Sequence, residues 1–268
     1  MTSPDIVADT LDAAVLQRLL TTTTFGRSLH VLSQTASTND DAKILAQRGA
    51  AEGTVVLAEQ QTRGRGRQGR TFASPAGVGI YLSLIVRPQV SPEQLPQLTL
   101  VVAVATAEAI WDCCSLSVGL KWPNDVEVNN KKVAGILTEA IWCPDGTLAV
   151  IVGIGINVNT THAQFPPALH QRVTSLTLET GAPVARLPLI AQLFARLERY
   201  YETFLHTGLP PILERWRHYS GIAGRRVRFV EATDTREGTV VGLDETGALL
   251  VQTANGVQRV IAGEVVFL

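Results

Sequence analysis

The spacing of apolar positions along the chain switches repeatedly between the helical and the extended period, and each switch predicts an element. Leu11 to Leu20 fits a short amphipathic helix, and the threonines Thr21 to Thr24 after it fit a linker. Ser37 or Thr38 stands at an N-cap position before Asp40 and Asp41, whose charge suits a first helical turn; Ile44 and Leu45 supply the apolar face and Gly49 the stop. Thr54 to Ala58 and Gly79 to Val86 read as strands joined by a glycine-rich loop. Leu98 to Asp112 is apolar on every side, Trp111 included, which predicts a helix buried beneath a sheet. The runs Ser117 to Trp122, Val126 to Val128, Lys132 to Ala140 and Thr147 to Val152 are separated by Pro-Asn-Asp, Asn-Asn and Pro-Asp-Gly turn signals, the pattern of an antiparallel meander. Helical spacing returns from Leu189 to His206 and, after Pro210-Pro211, in a shorter helix through Trp216; Gly221 and Gly224 end the helical part. From Arg225 the runs are short and β-rich (Val227 to Val230, Thr239 to Leu243, Ala248 to Gln252, Val257 to Ile261).

The predicted fold is therefore α+β: a mixed, largely antiparallel sheet with packed helices, followed by a small C-terminal β-barrel. A chain of 268 residues suits one main domain with an appendage. The division predicted is an N-terminal helix and linker over 1–24, a main domain over 25–221 and the barrel over 222–268. Its 23 basic residues nearly balance 24 acidic ones, so the molecule as a whole lacks the charge of a nucleic-acid binder. Asp5, Asp9 and Asp12 stand where a signal peptide carries basic charge, and no apolar run there is long enough for export or anchoring; a cytoplasmic protein without membrane contact is expected. Cys113 and Cys114 are adjacent and Cys143 is alone, which favours buried, reduced thiols over disulfides or zinc ligands.

Charge is concentrated locally instead. Between Arg63 and Arg70 the chain places four arginines and three glycines in eight residues, with no acidic residue from Gln60 through Pro92. Glycines let backbone amides approach phosphate oxygens while guanidinium forks grip the same charge, so the loop reads as a polyphosphate or acyl-phosphate site. The competing reading is a solvated surface loop, disfavoured because like charges so close together repel unless an anion offsets them. Gly64, Gly66 and Gly69 match the GxGxxG spacing, but the turn Ala73 to Gly77 follows where that fingerprint needs a helix, and no GxxxxGK[ST] loop occurs.

Three further units carry chemistry. Lys121-Trp122-Pro123-Asn124-Asp125 delivers a lysine to a strand end ahead of a tight turn. Gly135 interrupts the strand pattern of Lys132 to Leu137, marking either a close approach of a ligand or a simple bulge. Gly153, Gly155, Asn157 and Asn159 offer close backbone approach and carboxamides able to read an adenine edge, or else form a turn.

Together these units resemble the bacterial biotin protein ligases, whose pattern is a GRGRxGR loop, a KWPND segment, a Lys-x-x-Gly-Ile-Leu strand and a closing Gly-x-Gly-x-Asn, all present here in order. Ser37-Thr38-Asn39 also matches the family's Ser-Thr-Asn, so the resemblance runs from Ser37 to the end. It implies a class II synthetase-like biotin–lipoate ligase fold with an SH3-like barrel. The activity implied is adenylation of biotin by ATP with Mg²⁺, then transfer to a lysine of a biotin carboxyl carrier protein. By matching position, Ser37, Thr38, Asn39, Gln61, Gly64, Arg65, Gly66 and Gly135 would hold biotin. Lys121 and Arg67 would be catalytic and touch both substrates, while Arg70, Phe72, Asn124, Gly155 and Asn157 would hold the nucleotide, with no metal-ligating residue. Phe72 stands where the family often carries a tryptophan that stacks on adenine. Only 36 residues precede Ser37, short of the winged helix-turn-helix of members that double as repressors, so DNA binding is not expected. A homodimer through an open sheet edge is a candidate arrangement. A lipoate ligase and a non-catalytic biotin-binding protein are the competing readings; the KWPND and GRGRxGR strings favour biotin, and the intact Lys121 and Arg67 favour catalysis.

Overall fold

The computed structural model describes residues 9–231, 234–261, 263 and 265–268; Asp5 and the rest of the first eight residues lie outside these. The elements are α1 (Ala13–Leu19), β1 (Leu29–Leu32), α2 (Thr38–Gln47), β2 (Val55–Ala58), β3 (Gly79–Val86), α3 (Leu98–Cys114), β4 (Val118–Lys121), β5 (Asp125–Val128), β6 (Lys131–Trp142) and β7 (Leu148–Asn157). They continue as α4 (Leu176–Thr180), α5 (Arg186–Thr207), α6 (Pro210–Tyr219), β8 (Arg226–Glu231), β9 (Asp234–Leu243), β10 (Leu249–Thr253), β11 (Gly256–Val260) and β12 (Val265–Phe267). The main sheet has the order β1-β2-β3-β7-β6-β5-β4; β1 and β2 are parallel and the other neighbours antiparallel. The predicted meander is thus β4 to β7. The sequence pattern missed β1 and β12, which have four and three residues and no fully buried face to impose an alternation.

Both faces of the sheet are covered, which is why β3 is buried along its whole length. On one face α2 turns the small Ala42 and Ala46 onto Val56, Ile85 and Ile151. On the other, α3 lies between the sheet and α5 and α6, so no side of it needs a polar stripe. The segment Pro92–Cys114 is long and apolar enough to cross a membrane, but 67% of its 18-residue apolar stretch is buried in the protein, as befits a core helix. Its last turn outruns that cover. Trp111, predicted to be buried, is 54% exposed. The cysteine expectation is corrected for the same reason: all three thiols are free, but only Cys143 is buried, Cys114 is half-buried and Cys113 exposed. Thr21 to Thr24 is no loose linker either, since the amides of Thr23, Thr24 and Phe25 donate to the Glu198 carboxylate at 2.8, 2.7 and 2.9 Å.

The C-terminal strands form an antiparallel sheet of order β11-β10-β9-β8-β12, with β11 and β12 as open edges among the described residues. It docks on the main domain where Trp122 Nε1 donates to the Gly247 carbonyl at 3.1 Å and Gly247 packs on Leu100.

Candidate active site

Sheet register brings the four sequence units together. Tyr81 on β3 pairs with Gly155 on β7, Gly155 with Gly135 on β6, Gly135 with Asp125 on β5, and Asp125 with Lys121 on β4. Paired residues share a face, so this row runs straight across one side of the sheet. Two residues along, Ser83, Gly153 and Leu137 form a parallel row. The two glycines of β7 thus make a side-chain-free trough, and other side chains fill it. The Phe72 ring lies over Gly155, where an added Cβ would come within 2.6 Å of it; Asn39 Oδ1 lies over Gly153 at 2.2 Å from such a Cβ. The spare room at Gly155 therefore seats an aromatic platform.

A cavity of about 320 Å³ opens above this trough. It is lined by Ser37, Thr38, Asn39, Gln61, Arg65, Gly66, Arg67, Arg70, Phe72, Lys121, Asn124, Gly135 and Gly155 of the sequence-predicted set. Its polar end is built at the N-terminus of α2. The amide and hydroxyl of Thr38 donate to Gln61 Oε1 at 2.9 and 3.1 Å, Gln61 Nε2 donates to Ser74 Oγ at 2.9 Å, and Ser83 Oγ lies 2.8 Å from Thr38 Oγ1 and 2.6 Å from Asn39 Oδ1. Ser37 is the N-cap residue by backbone geometry, but its hydroxyl makes no capping bond.

The arginine loop is less isolated than the sequence suggests. Arg65 reaches two carboxylates from distant segments, Asp40 at 3.3 Å and Glu139, whose other partners are Asn39 at 2.8 Å and Lys43 at 2.7 Å. Burial alone would raise the Glu139 pKa, but hydrogen bonds from Lys43, Asn39 and Arg65 outweigh it and hold it below the usual carboxylate range. Arg67 differs. Among the described residues no carboxylate lies within ion-pair reach of it, and its side chain hydrogen-bonds Asn124 Oδ1 at 3.5 Å. Burial and the neighbouring Arg70 guanidinium hold its pKa below the ordinary arginine value, with Asp125 opposing them. Arg67 is a half-buried cation with no ion-pair partner among the described residues.

Lys121 and Lys132 are each paired across the sheet, Lys121 with Glu127 at 3.1 Å and Lys132 with Asp125 at 2.5 Å. Lys132 also lies 6.0 Å from the centre of the Phe72 ring, and Lys121 5.5 Å from that of Phe267. Two predicted residues stand outside the cavity lining. The Asn157 side chain is buried and donates to the Thr174 carbonyl at 3.0 Å, and a Cβ on Gly64 would lie 2.3 Å from the Phe72 carbonyl, so Gly64 lets the loop close on itself. The sequence reading gave no role to Glu139, Asp125, Glu127, Lys132 or Arg172. Glu139 carried a signal, since it follows Gly135 and Leu137 at the two-residue period of one strand face; Arg172, on a loop, carried none. Among the described residues no group of three or more His, Cys, Asp or Glu could hold a metal ion, and the two carboxylates nearest the lysines are already paired.

Residues 31–159 match the model of the biotin/lipoate A/B protein ligase family, and residues 222–268 match the biotin protein ligase C-terminal domain. The chain is 36% identical to the bifunctional ligase/repressor BirA of Bacillus subtilis over 92% of its own length and 76% of that protein's. It is 34% identical to the biotin–[acetyl-CoA-carboxylase] ligase of Mycobacterium tuberculosis over the whole of both. Among solved structures, the biotin protein ligase of Aquifex aeolicus in complex with biotin and ATP superposes with a TM-score of 0.79 at 30% identity, covering 90% of this chain and 99% of that one.

Proposed function

The chain belongs to the biotin/lipoate A/B protein ligase family and is a biotin protein ligase, and within that activity we propose that Lys121 and Arg67 stabilise the charge of the adenylation step. Biotin and ATP are its substrates. A carboxylate oxygen of biotin attacks the α-phosphorus of ATP and the bond to the β-phosphate breaks, giving biotinyl-5′-AMP and pyrophosphate. The amine of an acceptor lysine then attacks the acyl carbon, AMP leaves and the amine loses a proton, so an amide bond is formed. Neither step needs an enzyme nucleophile. What it needs is cations near two mutually repelling anions, held in place before the reaction begins.

The observation that carries this reading is the convergence of Lys121, Arg67, Arg70 and Phe72 on one cavity whose far end is the Thr38–Gln61–Ser83–Asn39 hydrogen-bond network. The neutral network suits the ureido end of biotin. Lys121 bridges carboxylate and α-phosphate, the half-buried Arg67 faces the same charge, Arg70 takes phosphate, and Phe72 stacks on adenine. Glu127 holds Lys121 until the substrates arrive. Arg65, neutralised by Asp40 and Glu139, closes the loop over biotin and adds no net charge there. Mg²⁺, arriving with the triphosphate, would supply further positive charge to it; among the described residues no group of three or more His, Cys, Asp or Glu would hold it, and no step here depends on it. The acceptor is a biotin carboxyl carrier protein. The division into 1–24, a catalytic domain over 25–221 and a C-terminal domain over 222–268 belongs to the same proposal and is supported by the two separately bonded sheets.

ATP/pyrophosphate exchange with biotin, lipoate or no acid tests this reading. Exchange with biotin alone is expected. Exchange with lipoate in its place would make the chain a lipoate ligase, and no exchange with either acid would overturn the catalytic reading.

A further inference from the structure

Asn39 and Lys43 are four residues apart on α2 and so share a face of that helix. Both donate to one carboxylate, Glu139 of β6, at 2.8 and 2.7 Å. Glu139 follows Gly135 and Leu137 at the two-residue period of the strand face that floors the reaction cavity, and stands one step beyond the cavity lining. Asn39, in contrast, is part of that lining. The carboxylate is thus one hydrogen bond away from whatever the cavity holds.

The two ends of the Asn39 amide are chemical opposites, a double donor and an acceptor, and the neighbours decide which end faces where. Nδ2 meets the Glu139 carboxylate and, at 3.4 Å, the Leu137 carbonyl. Both neighbours only accept, because against the effect of burial the hydrogen bonds from Lys43, Asn39 and Arg65 keep Glu139 ionised at neutral pH. Turning the amide over would set Oδ1 against both. Oδ1 is therefore directed at Ser83 Oγ, 2.6 Å away, and lies over the cavity-lining Gly153. Thr38 agrees in sense. Its backbone N–H fixes Gln61 Oε1 as an acceptor at 2.9 Å, and its hydroxyl donates to the same oxygen at 3.1 Å. The protons of Asn39, Ser83 and the Thr38 hydroxyl are all used inside the protein, which leaves lone pairs on Asn39 Oδ1 and Thr38 Oγ1 for a ligand.

We propose that Glu139 is a positioning residue for substrate selection: by holding the Asn39 amide with its oxygen inward, it makes this end of the cavity an acceptor for the N–H groups of the biotin ureido ring. The inference deepens the reading that the ureido end of biotin lies here, and rests on it. A cyclic urea brings two N–H donors, and Thr38 and Asn39 bring two acceptors. With no acceptor at position 139 the amide is free to turn over. Nδ2 then opposes a ureido N–H, and a buried donor is left unpaired, the loss by which a hydrogen-bonding site rejects a mismatched ligand. The ureido ring takes no part in the bond changes, so its contacts are the same in ground and transition states; losing one raises KM for biotin and leaves kcat alone.

The test is biotin affinity by calorimetry and biotin-dependent ATP/pyrophosphate exchange, with the full chain. Glu139→Leu, which keeps the size and removes the acceptor, is expected to raise Kd and KM for biotin about tenfold, with kcat at saturating biotin and KM for ATP within about twofold of the parent. Lys43→Met, which takes away another partner of Glu139 and leaves Asn39 in place, is expected to change biotin Kd by less than about twofold. Two backgrounds separate the routes. Adding Glu139→Leu to Asn39→Ala should cost nothing further, whereas adding it to Arg65→Met should still cost about tenfold. An unchanged biotin Kd in Glu139→Leu overturns the proposal, as does a full loss in the Asn39→Ala background or no loss in the Arg65→Met background, which would put the effect in the arginine loop. Biotin methylated on one or the other ureido nitrogen decides the matter even if the Asn39 variant does not fold. The ratio of Kd between Glu139→Leu and the parent should be about ten for biotin and near one for the isomer lacking the N–H that faces Asn39; equal ratios for all three ligands overturn the role of Glu139. Should the parent itself bind biotin and both methylated forms equally, the ureido ring does not lie at this network and the proposal falls with that reading, a result distinct from failure of Glu139 alone.

Discussion

Lys121 and Arg67 reach the same cavity with opposite histories of compensation. Lys121 enters from the end of β4 with Glu127 beside it, whereas Arg67 enters from a loop and, among the described residues, has no carboxylate within ion-pair reach. Replacing Lys121 by alanine should lower the rate of biotin-dependent pyrophosphate release by roughly 10²-fold or more, the scale for one preorganised charge-stabilising group. A rate near that of the parent would remove Lys121 from the chemistry. Glu139 makes a second residue-scale prediction. Its native pKa lies below its unfolded value, so its stabilisation is complete above the ordinary carboxylate range and is lost as pH falls through the lowered native pKa. Going from about pH 6 to about pH 3, the melting temperature of Glu139→Gln should fall less than that of the parent. Equal slopes would show that the carboxylate contributes no linkage.

At the scale of elements, the arginine loop is a lobe closed by its own backbone. Gly66 N–H donates to Arg70 O at 2.7 Å and Phe72 N–H to Gly64 O at 2.9 Å, while Gln68 sits in the left-handed region at φ 55°. Arg65 ties it to Asp40 and Glu139, beside a cavity that also holds Arg67. Ligand should therefore tighten it. Trypsin cleavage at Arg63 to Arg70 is expected to slow on adding biotin with ATP, and to slow less in Arg65→Ala; cleavage indifferent to ligand would count against closure of the loop. The loop also shows where sequence reasoning ran short, because its counter-charges come from α2 and β6.

Across the whole molecule, the C-terminal sheet leans on the catalytic domain next to the chemistry. Trp122, one residue after Lys121, donates to Gly247, and Gly247 holds φ 86° with Leu100 beneath it. An alanine there would meet Leu100 at 2.4 Å and adopt a left-handed conformation that costs about 1–2 kcal/mol. Gly247→Ala should loosen the contact, seen as faster proteolytic release of the C-terminal part with the catalytic domain still folded. Release at the parent rate would show that the contact contributes little to holding the two parts together.

The chain alone determined its periods, its turns and its reactive strings: β3, the meander, α3 and α5 could be placed, and the residues of the cavity named, because local pattern encodes which face of an element is apolar and where the backbone must bend. Tertiary structure alone decided the pairings. That Gly155 seats Phe72, that Glu139 and Asp40 neutralise Arg65 while Arg67 goes without, that Asn157 turns to Thr174, and that β6 outlasts β5 to leave an open edge are all consequences of register between segments far apart in sequence. Local periodicity carries no information on register, since sliding one strand along another leaves each strand's own pattern unchanged; only the packed sheet selects the alignment that buries both faces at once.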